Sequence, residues 1–318
     1  MYHIDIMTLF PDVVGDMLCE SILGRGQERG YIRIECHQIR DYTLNKQKQV
    51  DDYPYGGGRG AVMQADPLYQ CWKHICDEAG ERIHTIYMSP AGRTFCQADA
   101  RRLKEDYSRL ILVCGHYEGI DERFIEECVD EEISLGDFVM TGGEIPAMAV
   151  ADAVCRLVPG VLSDPSCYEN ESHWNGMLEA PQYSRPEVWH DRAVPPILLS
   201  GHHANVEKWR RKQGILRTYR RRPDLYGRLD LSSKQDRRLL KELEEETGIE
   251  IFKRTNKGVL PTPEGEEFLG YARQLLNQYE LLEDRFIRRT KVRKKFSVSM
   301  QHYSFAVKAF VELVKQYG

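Results

Sequence analysis

Short apolar stretches alternate with amphipathic ones along the first half of the chain, and that alternation limits the folds open to it. Residues 4–9, 31–36, 82–88, 110–114 and 131–134 have the length and pattern of strands. Residues 11–24, 67–79, 97–107, 123–128 and 145–157 between them read as helices, with Pro11 and Pro146 suited to first turns. A helix between two strands returns the chain to the same end of the sheet, so the strands pair in parallel and are covered on both faces. The expected class is α/β. Ligands in such sheets sit beyond the carboxyl ends of the strands. Three of those ends carry glycine loops: Ser89-Pro90-Ala91-Gly92, read as a turn closing its strand, then residues 115–119 and 141–143. None is GxGxxG in the right context and no GK[ST] occurs, so dinucleotide and P-loop sites are unsupported.

Composition narrows the reading further. The 318 residues suggest about two domains. With 42% hydrophobic residues the chain can fill sizeable cores. No apolar run approaches about 18 residues, which argues against a membrane span. The opening Met1-Tyr2-His3-Ile4-Asp5-Ile6 reads as a strand rather than a secretory signal, so a cytoplasmic location is expected. The 9 cysteines contain no CxxC pair and are read as buried thiols in a reducing compartment, with no metal site.

The net charge of -5 hides a basic stretch between Lys208 and Arg228 that includes Trp209 and Tyr219. That stretch is either a solvated helix face or a grip on a phosphate backbone. The run Asp51-Asp52-Tyr53-Pro54-Tyr55-Gly56-Gly57-Gly58-Arg59-Gly60 is either a flexible loop or one shaped for close approach to a substrate. Residues 159–175 are polar and turn-rich, a linker or a mobile lid. Residues 203–218 and 232–246 read as helices, the second capped by Ser232 or Ser233. Composition shifts again near Thr247. A turn between two short strands is expected over 252–265, helices over 266–288 and 304–316, and a strand over 296–299.

Long strings in the first 240 residues carry a family resemblance. They include Met7-Thr8-Leu9-Phe10-Pro11, Val50-Asp51-Asp52-Tyr53-Pro54-Tyr55-Gly56-Gly57-Gly58, Tyr87-Met88-Ser89-Pro90-Ala91-Gly92-Arg93 and Gly115-His116-Tyr117-Glu118-Gly119-Ile120-Asp121. Ser134-Leu135-Gly136-Asp137-Phe138-Val139-Met140-Thr141-Gly142-Gly143-Glu144, Leu198-Leu199-Ser200-Gly201-His202-His203 and Arg221-Arg222-Pro223-Asp224-Leu225 follow in order. Together they resemble the bacterial tRNA (guanine-N1)-methyltransferases of the SPOUT superfamily. The resemblance implies a deep trefoil-knot domain over residues 1–160, an interdomain lid over 161–176 and a helical tRNA-binding domain over 177–240. It also implies a homodimer whose sites use both subunits.

The same resemblance implies S-adenosyl-L-methionine as methyl donor. Its pocket would use Tyr87, Ser89, Pro90, Gly92, Gly115, Tyr117, Gly119, Ile133, Leu135, Gly136, Gly142, Gly143 and Pro146. The implied reaction is methylation of N1 of the guanine just 3′ of the tRNA anticodon. Arg156 would steady charge on O6. The general base falls on Glu171, where the family usually has aspartate; Asp164, Glu169 and Asp191 are the other carboxylates considered. Asp51, Tyr53, Pro54, Gly57 and Gly58 would shape the substrate side. His202, Asn205, Trp209, Arg210, Arg217, Arg220 and Arg221 would hold the anticodon stem-loop, though Trp209 has a second reading as the anchor of a small core. Magnesium is implied without a dedicated protein site. The competing readings are a non-catalytic nucleic-acid-binding or regulatory fusion protein, and a SPOUT methyltransferase for another RNA position.

From about Leu240 the chain resembles a LysR-type transcriptional regulator instead, through Thr247-Gly248-Ile249-Glu250-Ile251-Phe252-Lys253-Arg254-Thr255 and Leu260-Pro261-Thr262-Pro263-Glu264-Gly265. In that family these residues span the end of the recognition helix, the wing and the start of a long dimerisation helix. Residues 241–318 would thus be a winged-helix-like fragment with part of its reading head missing, and no specific DNA binding is expected of it.

Overall fold

In the computed structural model the described residues are 1–247, 252–255 and 258–261. The chain divides into two units, Met1–Ser232 and Ser233–Gly318. The first unit opens with β1 (Tyr2–Thr8), α1 (Pro11–Leu18), α2 (Ser21–Glu28) and β2 (Ile32–Gln38). It continues through β3 (Asp51–Asp52), β4 (Val62–Met63), α3 (Ala65–Ala79), β5 (His84–Thr94), α4 (Gln97–Asp106) and β6 (Arg109–Cys114). Then come α5 (Glu122–Cys128), β7 (Glu131–Ser134) and α6 (Glu144–Cys155). Five of these strands form one parallel sheet in the order β2-β1-β6-β5-β7.

Strand β6 shows why the sheet is covered twice. Leu110, Leu112 and Cys114 face a layer containing Val150 and Val154 of α6 and Leu103 of α4. Ile111 and Val113 face the opposite layer, with Leu68 and Ile75 of α3 and Phe124 of α5. The two-residue side-chain period divides one apolar run between two cores.

Two expectations need correction. The helix read over residues 11–24 is two helices, because the chain turns at Cys19–Glu20 and Ser21 takes φ 55°. A Cβ on Gly24 would lie 1.9 Å from the Cys19 carbonyl oxygen, so this turn accepts only glycine there. Residues 89–92 do not end their strand. Met88 and Arg93 both pair with Ile133, so the segment between them bulges out and β5 resumes to Thr94. Pro90 has no N–H for the ladder, and the close contact at Gly92, where a Cβ would meet the Glu132 carbonyl carbon at 2.5 Å, seats the excursion.

The thiol expectation holds in part. Cys71, Cys76, Cys114, Cys128 and Cys155 are buried, but Cys19, Cys96 and Cys167 are exposed, and all nine are free. Burial pushes the Cys71 and Cys114 thiols well above their ordinary range, which keeps them unreactive.

Beyond α6 lie α7 (Ser166–Glu169), β8 (Val188–Trp189), β9 (Arg192–Ala193), α8 (Pro196–Leu199), α9 (His203–Arg221) and α10 (Pro223–Tyr226). Strands β8 and β9 form a hairpin turned by His190 and Asp191, both at positive φ. The second unit contains α11 (Lys234–Thr247), with the Ser233 hydroxyl capping the Asp236 N–H at 2.9 Å, and an antiparallel hairpin of β10 (Phe252–Thr255) and β11 (Gly258–Pro261). The elements expected over 266–288, 296–299 and 304–316 lie outside the described residues. Among the described residues no helix is long and apolar enough to cross a membrane.

One ion-pair network interrupts the apolar interior. Asp5 is wholly buried and accepts from Arg109 Nε at 2.7 Å and Nη2 at 3.1 Å, with His37 Nε2 2.8 Å away. His3, Asp5 and Glu35 offer ligand-type atoms within 4.8 Å of one another, but both Asp5 oxygens are already engaged by Arg109. Burial alone would raise the Asp5 pKa; the hydrogen bonds from His37 and Arg109 outweigh it and hold it below the usual carboxylate value. The folded-state pKa is lowered, so this group's stabilisation is present above the unfolded-state pKa and is lost as pH falls through the folded one. Asp5→Asn is expected to cost about 3–5 kcal/mol at neutral pH by leaving the half-buried Arg109 without its charged partner. Denaturant titrations should show the gap between wild type and variant closing as the solution is acidified below the ordinary carboxylate range.

Candidate active site

The carboxyl ends of β5, β6 and β7 surround a cavity of about 490 Å³. The three glycine loops wall it, and the second and third touch each other backbone to backbone. The Gly143 N–H donates to the Gly115 carbonyl at 2.8 Å, and His116 bridges Gly142. A Cβ on Gly143 would stand 2.7 Å from Cys114 Cα, and one on Gly115 would stand 2.8 Å from the Tyr87 hydroxyl. Glycine here is a requirement of contact, since any side chain would force the loops apart or push Tyr87 into the cavity.

Most of the residues expected to form one pocket do meet here. Tyr87, Ser89, Pro90, Gly115, Tyr117, Gly119, Ile133, Leu135, Gly142, Gly143 and Pro146 line the cavity. Gly92 and Gly136 stand behind the lining: Gly92 packs on the main chain of β7, and the Gly136 carbonyl accepts from the Ser134 hydroxyl at 2.9 Å. Sequence reasoning missed His116, Glu118, Glu122, Glu132, Phe138 and Thr141. His116 and Glu118 lie inside a glycine string already singled out, so adjacency was the available signal; Glu122 and Glu132 stand in acidic runs, Asp121-Glu122 and Asp130-Glu131-Glu132, that read equally well as solvated helix faces.

The cavity is acidic. Glu118, Glu122 and Glu132 line it, and among the described residues no lysine or arginine does. His116 Nδ1 is buried without a hydrogen-bond partner. Burial pushes the Tyr87 phenol up to about 12, so it stays neutral. These features fit a ligand with positive charge and polar edges.

The glycine-aspartate loop rises beside this cavity. Its ends are stitched by the β3–β4 ladder, with Asp51 opposite Met63. The Met63 N–H donates to the Gly119 carbonyl at 3.0 Å and the Glu118 N–H to the Ala61 carbonyl at 3.0 Å. Asp51 and Pro54 are half-buried, while Tyr53, Gly57 and Gly58 are exposed.

Arg156 caps the far end of α6 and makes a bidentate pair with Glu171, at 2.5 Å from Nη1 and 3.0 Å from Nη2. Both side chains remain partly exposed. The Arg156 hydrogen bonds hold the Glu171 carboxyl below its ordinary range, and the same bonds raise the Arg156 pKa. Asp164 is exposed and accepts within its own turn from the Ser166 N–H at 2.8 Å, while Asp191 sits at the hairpin tip.

Helix α9 presents Asn205, Arg210, Arg220 and Arg221 to solvent, as its N-cap position does His202, with Arg217 half-buried. Arg210 lies 3.6 Å from Glu207. Trp209 is half-buried, its ring 6.4 Å from that of Tyr183.

Comparison with known proteins decides the relationship. A family model described as tRNA (Guanine-1)-methyltransferase TrmD matches residues 2–228. The chain belongs to that family. It is 51% identical over 225 residues to a tRNA (guanine-N(1)-)-methyltransferase of Ruminiclostridium cellulolyticum, covering 71% of this chain and 96% of the relative. It is 50% identical over 236 residues to the protein of that name in Alkaliphilus oremlandii, covering 73% of this chain and 94% of the relative. A third, from Clostridium novyi, is 50% identical over 237 residues, covering 74% of this chain and 96% of the relative. The family match thus spans the sheet, the cavity, the Arg156–Glu171 pair and α9.

The close glycine contacts make a direct test. Gly143→Ala should destabilise the protein by about 1–3 kcal/mol, since backbone rather than a flexible side chain blocks the new methyl group. Gly15→Ala in α1, where nothing lies within 4 Å, should be neutral or stabilise by up to about 1 kcal/mol. Paired denaturant titrations of the two variants check the contrast.

Proposed function

We propose that this protein methylates N1 of guanine in tRNA, at the position just 3′ of the anticodon, using S-adenosyl-L-methionine. The observation that carries the reading is the Arg156–Glu171 pair on a chain of this family. The acidic, glycine-walled cavity supports the cofactor assignment. Three carboxylates suit a sulfonium, His116 Nδ1 is an orphaned polar atom facing no partner, and glycine backbone can approach an adenine edge. When bound, the cofactor supplies an electrophilic methyl group.

The chain's own residues have two tasks. Guanine N1 carries a hydrogen at neutral pH, and as it leaves, negative charge spreads to O6. Glu171 accepts that proton on a carboxylate oxygen, and the Arg156 guanidinium donates to O6. In the free protein the two groups satisfy each other, and the pairing makes Glu171 a weak base. Drawing Arg156 to O6 frees the carboxylate and restores its basicity where the proton must go. Loop residues Asp51, Tyr53, Pro54, Gly57 and Gly58 border the substrate side. The cations of α9 grip phosphates of the anticodon stem-loop while Trp209 braces the helix or stacks. Magnesium is given no protein ligand set in this reading.

The working unit in this proposal is a homodimer. Pro146 lines the cavity and Arg156 lies ten residues on along the same helix, about 15 Å away at 1.5 Å per residue. Within one chain the base and the methyl-donor cavity are therefore apart, and pairing with a second copy would set the Arg156–Glu171 pair of one protomer against the cavity of its partner. Exposed Phe10, Val13, Met17 and Ile145 offer an apolar face for that pairing. The trefoil knot of the family is proposed for the segment ending at α6. Its support is the return of the chain from β7 to bridge His116 through Gly142. For the tail, α11 followed by the β10–β11 hairpin supports a winged-helix-like fragment, with no specific DNA site assigned to it.

Glu171→Gln should lower methyl transfer to a tRNA transcript by at least about 100-fold while leaving cofactor affinity, read by calorimetry, near wild type. Retained turnover would sink the base assignment. Sedimentation at micromolar concentration should return a dimer mass; a monomer of full activity would refute the shared site.

A further inference from the structure

Glu171 sits in a turn that closes on itself. Its N–H donates to the Tyr168 carbonyl at 3.1 Å, the Trp174 N–H donates to the Glu171 carbonyl at 3.4 Å, and the Tyr168 and Trp174 rings lie 4.8 Å apart. The surrounding segment is mostly exposed and carries little regular structure besides the single turn of α7. Something outside the segment must fix where this turn lies.

Two arginines of the catalytic layer do so. Arg156 takes the Glu171 carboxylate. Arg101, on α4, takes Trp174: its guanidinium carbon lies 3.8 Å from the ring centroid, and its Nη2 donates to the Trp174 carbonyl at 2.9 Å. Arg101 has no carboxylate within ion-pair distance among the described residues, and its Nε is buried without a partner. A guanidinium partly stripped of water with no counter-ion is costly unless the contacts it does make are useful. Helix α4 packs on α6, so both arginines stand on one rigid support.

The two fastenings differ when guanine arrives. Arg156 is needed at O6, and its bond to Glu171 must open. The other hydrogen bonds of the segment stay within it, such as Glu179 N–H to the Ser172 hydroxyl, or run to α9, as from the Leu178 N–H to Thr218 Oγ1 at 2.9 Å. Arg101 then remains as the polar fastening of the turn to the α4–α6 layer, and it fixes the Trp174 ring where that ring and Tyr168 pack on the apolar core. We propose that Arg101 is a positioning residue for the methyl-transfer reaction, holding the Glu171 turn through Trp174 while Arg156 is engaged by the substrate. The assignment rests on Glu171 being the base.

The test measures single-turnover methylation by the full chain, with saturating tRNA transcript and S-adenosyl-L-methionine. Arg101→Ala and Trp174→Ala should each slow methyl transfer about 10- to 100-fold, the scale of a misplaced catalytic group. Cofactor affinity and the KM for tRNA should change less than about threefold, since the loss falls on the transition state. Trp174→Phe, which keeps a ring under the guanidinium, should recover most of the rate. On a Glu171→Gln background, Arg101→Ala should slow the residual reaction no further, because it acts through the group already removed. Wild-type rates in Arg101→Ala and Trp174→Ala, with Glu171→Gln inactive, would overturn the positioning role alone. An active Glu171→Gln would overturn the base assignment and this inference with it. A loss shared equally by rate and cofactor affinity, without rescue by Trp174→Phe, would mark a merely structural role. Should Arg101→Ala not fold, the two Trp174 variants decide.

Discussion

The contact of Gly143 with Gly115 fixes more of this molecule than any other. It joins the end of β6 to the start of α6 through one hydrogen bond of 2.8 Å, at a distance that leaves no room for a Cβ. From that joint α6 runs out along the sheet, burying Val150 and Val154 against β6. Its first turn closes the cavity with Pro146, and its C-cap position delivers Arg156. The cavity, the helix direction and the site of the arginine thus follow from one place where two backbones touch.

The sheet was readable because its signal is local and repeated. Leu110-Ile111-Leu112-Val113-Cys114 is apolar at every position, which only a strand covered on both faces can use. The bulge at residues 89–92 was not readable, because proline and glycine mark a turn and an excursion alike; pairing with β7 across 40-odd residues decides between them. The break between α1 and α2 was hidden for a similar reason, since the apolar period runs through it and only the contact at Gly24 reveals the turn.

The site was legible to the extent that it lies in contiguous strings. The glycine loops announced themselves, and His116 and Glu118 came with them. Arg156 and Glu171 are ordinary residues in sequence, and family resemblance rather than residue pattern brought them forward. Arg101 and Trp174 are separated by 73 positions, and nothing at either end signals the other. Contacts between a rigid layer and a turn distant in sequence leave no periodic trace.

In the proposed mechanism the pairing of Arg156 with Glu171 keeps the base ready without being reactive. A free carboxylate near RNA would face phosphate repulsion, whereas a carboxylate already joined to a guanidinium presents a neutral pair. In the proposed mechanism the charges separate when guanine offers O6 to one and N1–H to the other.

Helix α6 acts as a ruler as well as a wall. Adding or removing one residue between Pro146 and Arg156 would turn the arginine by about 100° around the axis. Either change would point it away from Glu171 while leaving the cavity closed. Length variation is therefore barred from this helix by phase, whereas the exposed stretch just before α7 can gain or lose residues without disturbing the alignment of either arginine.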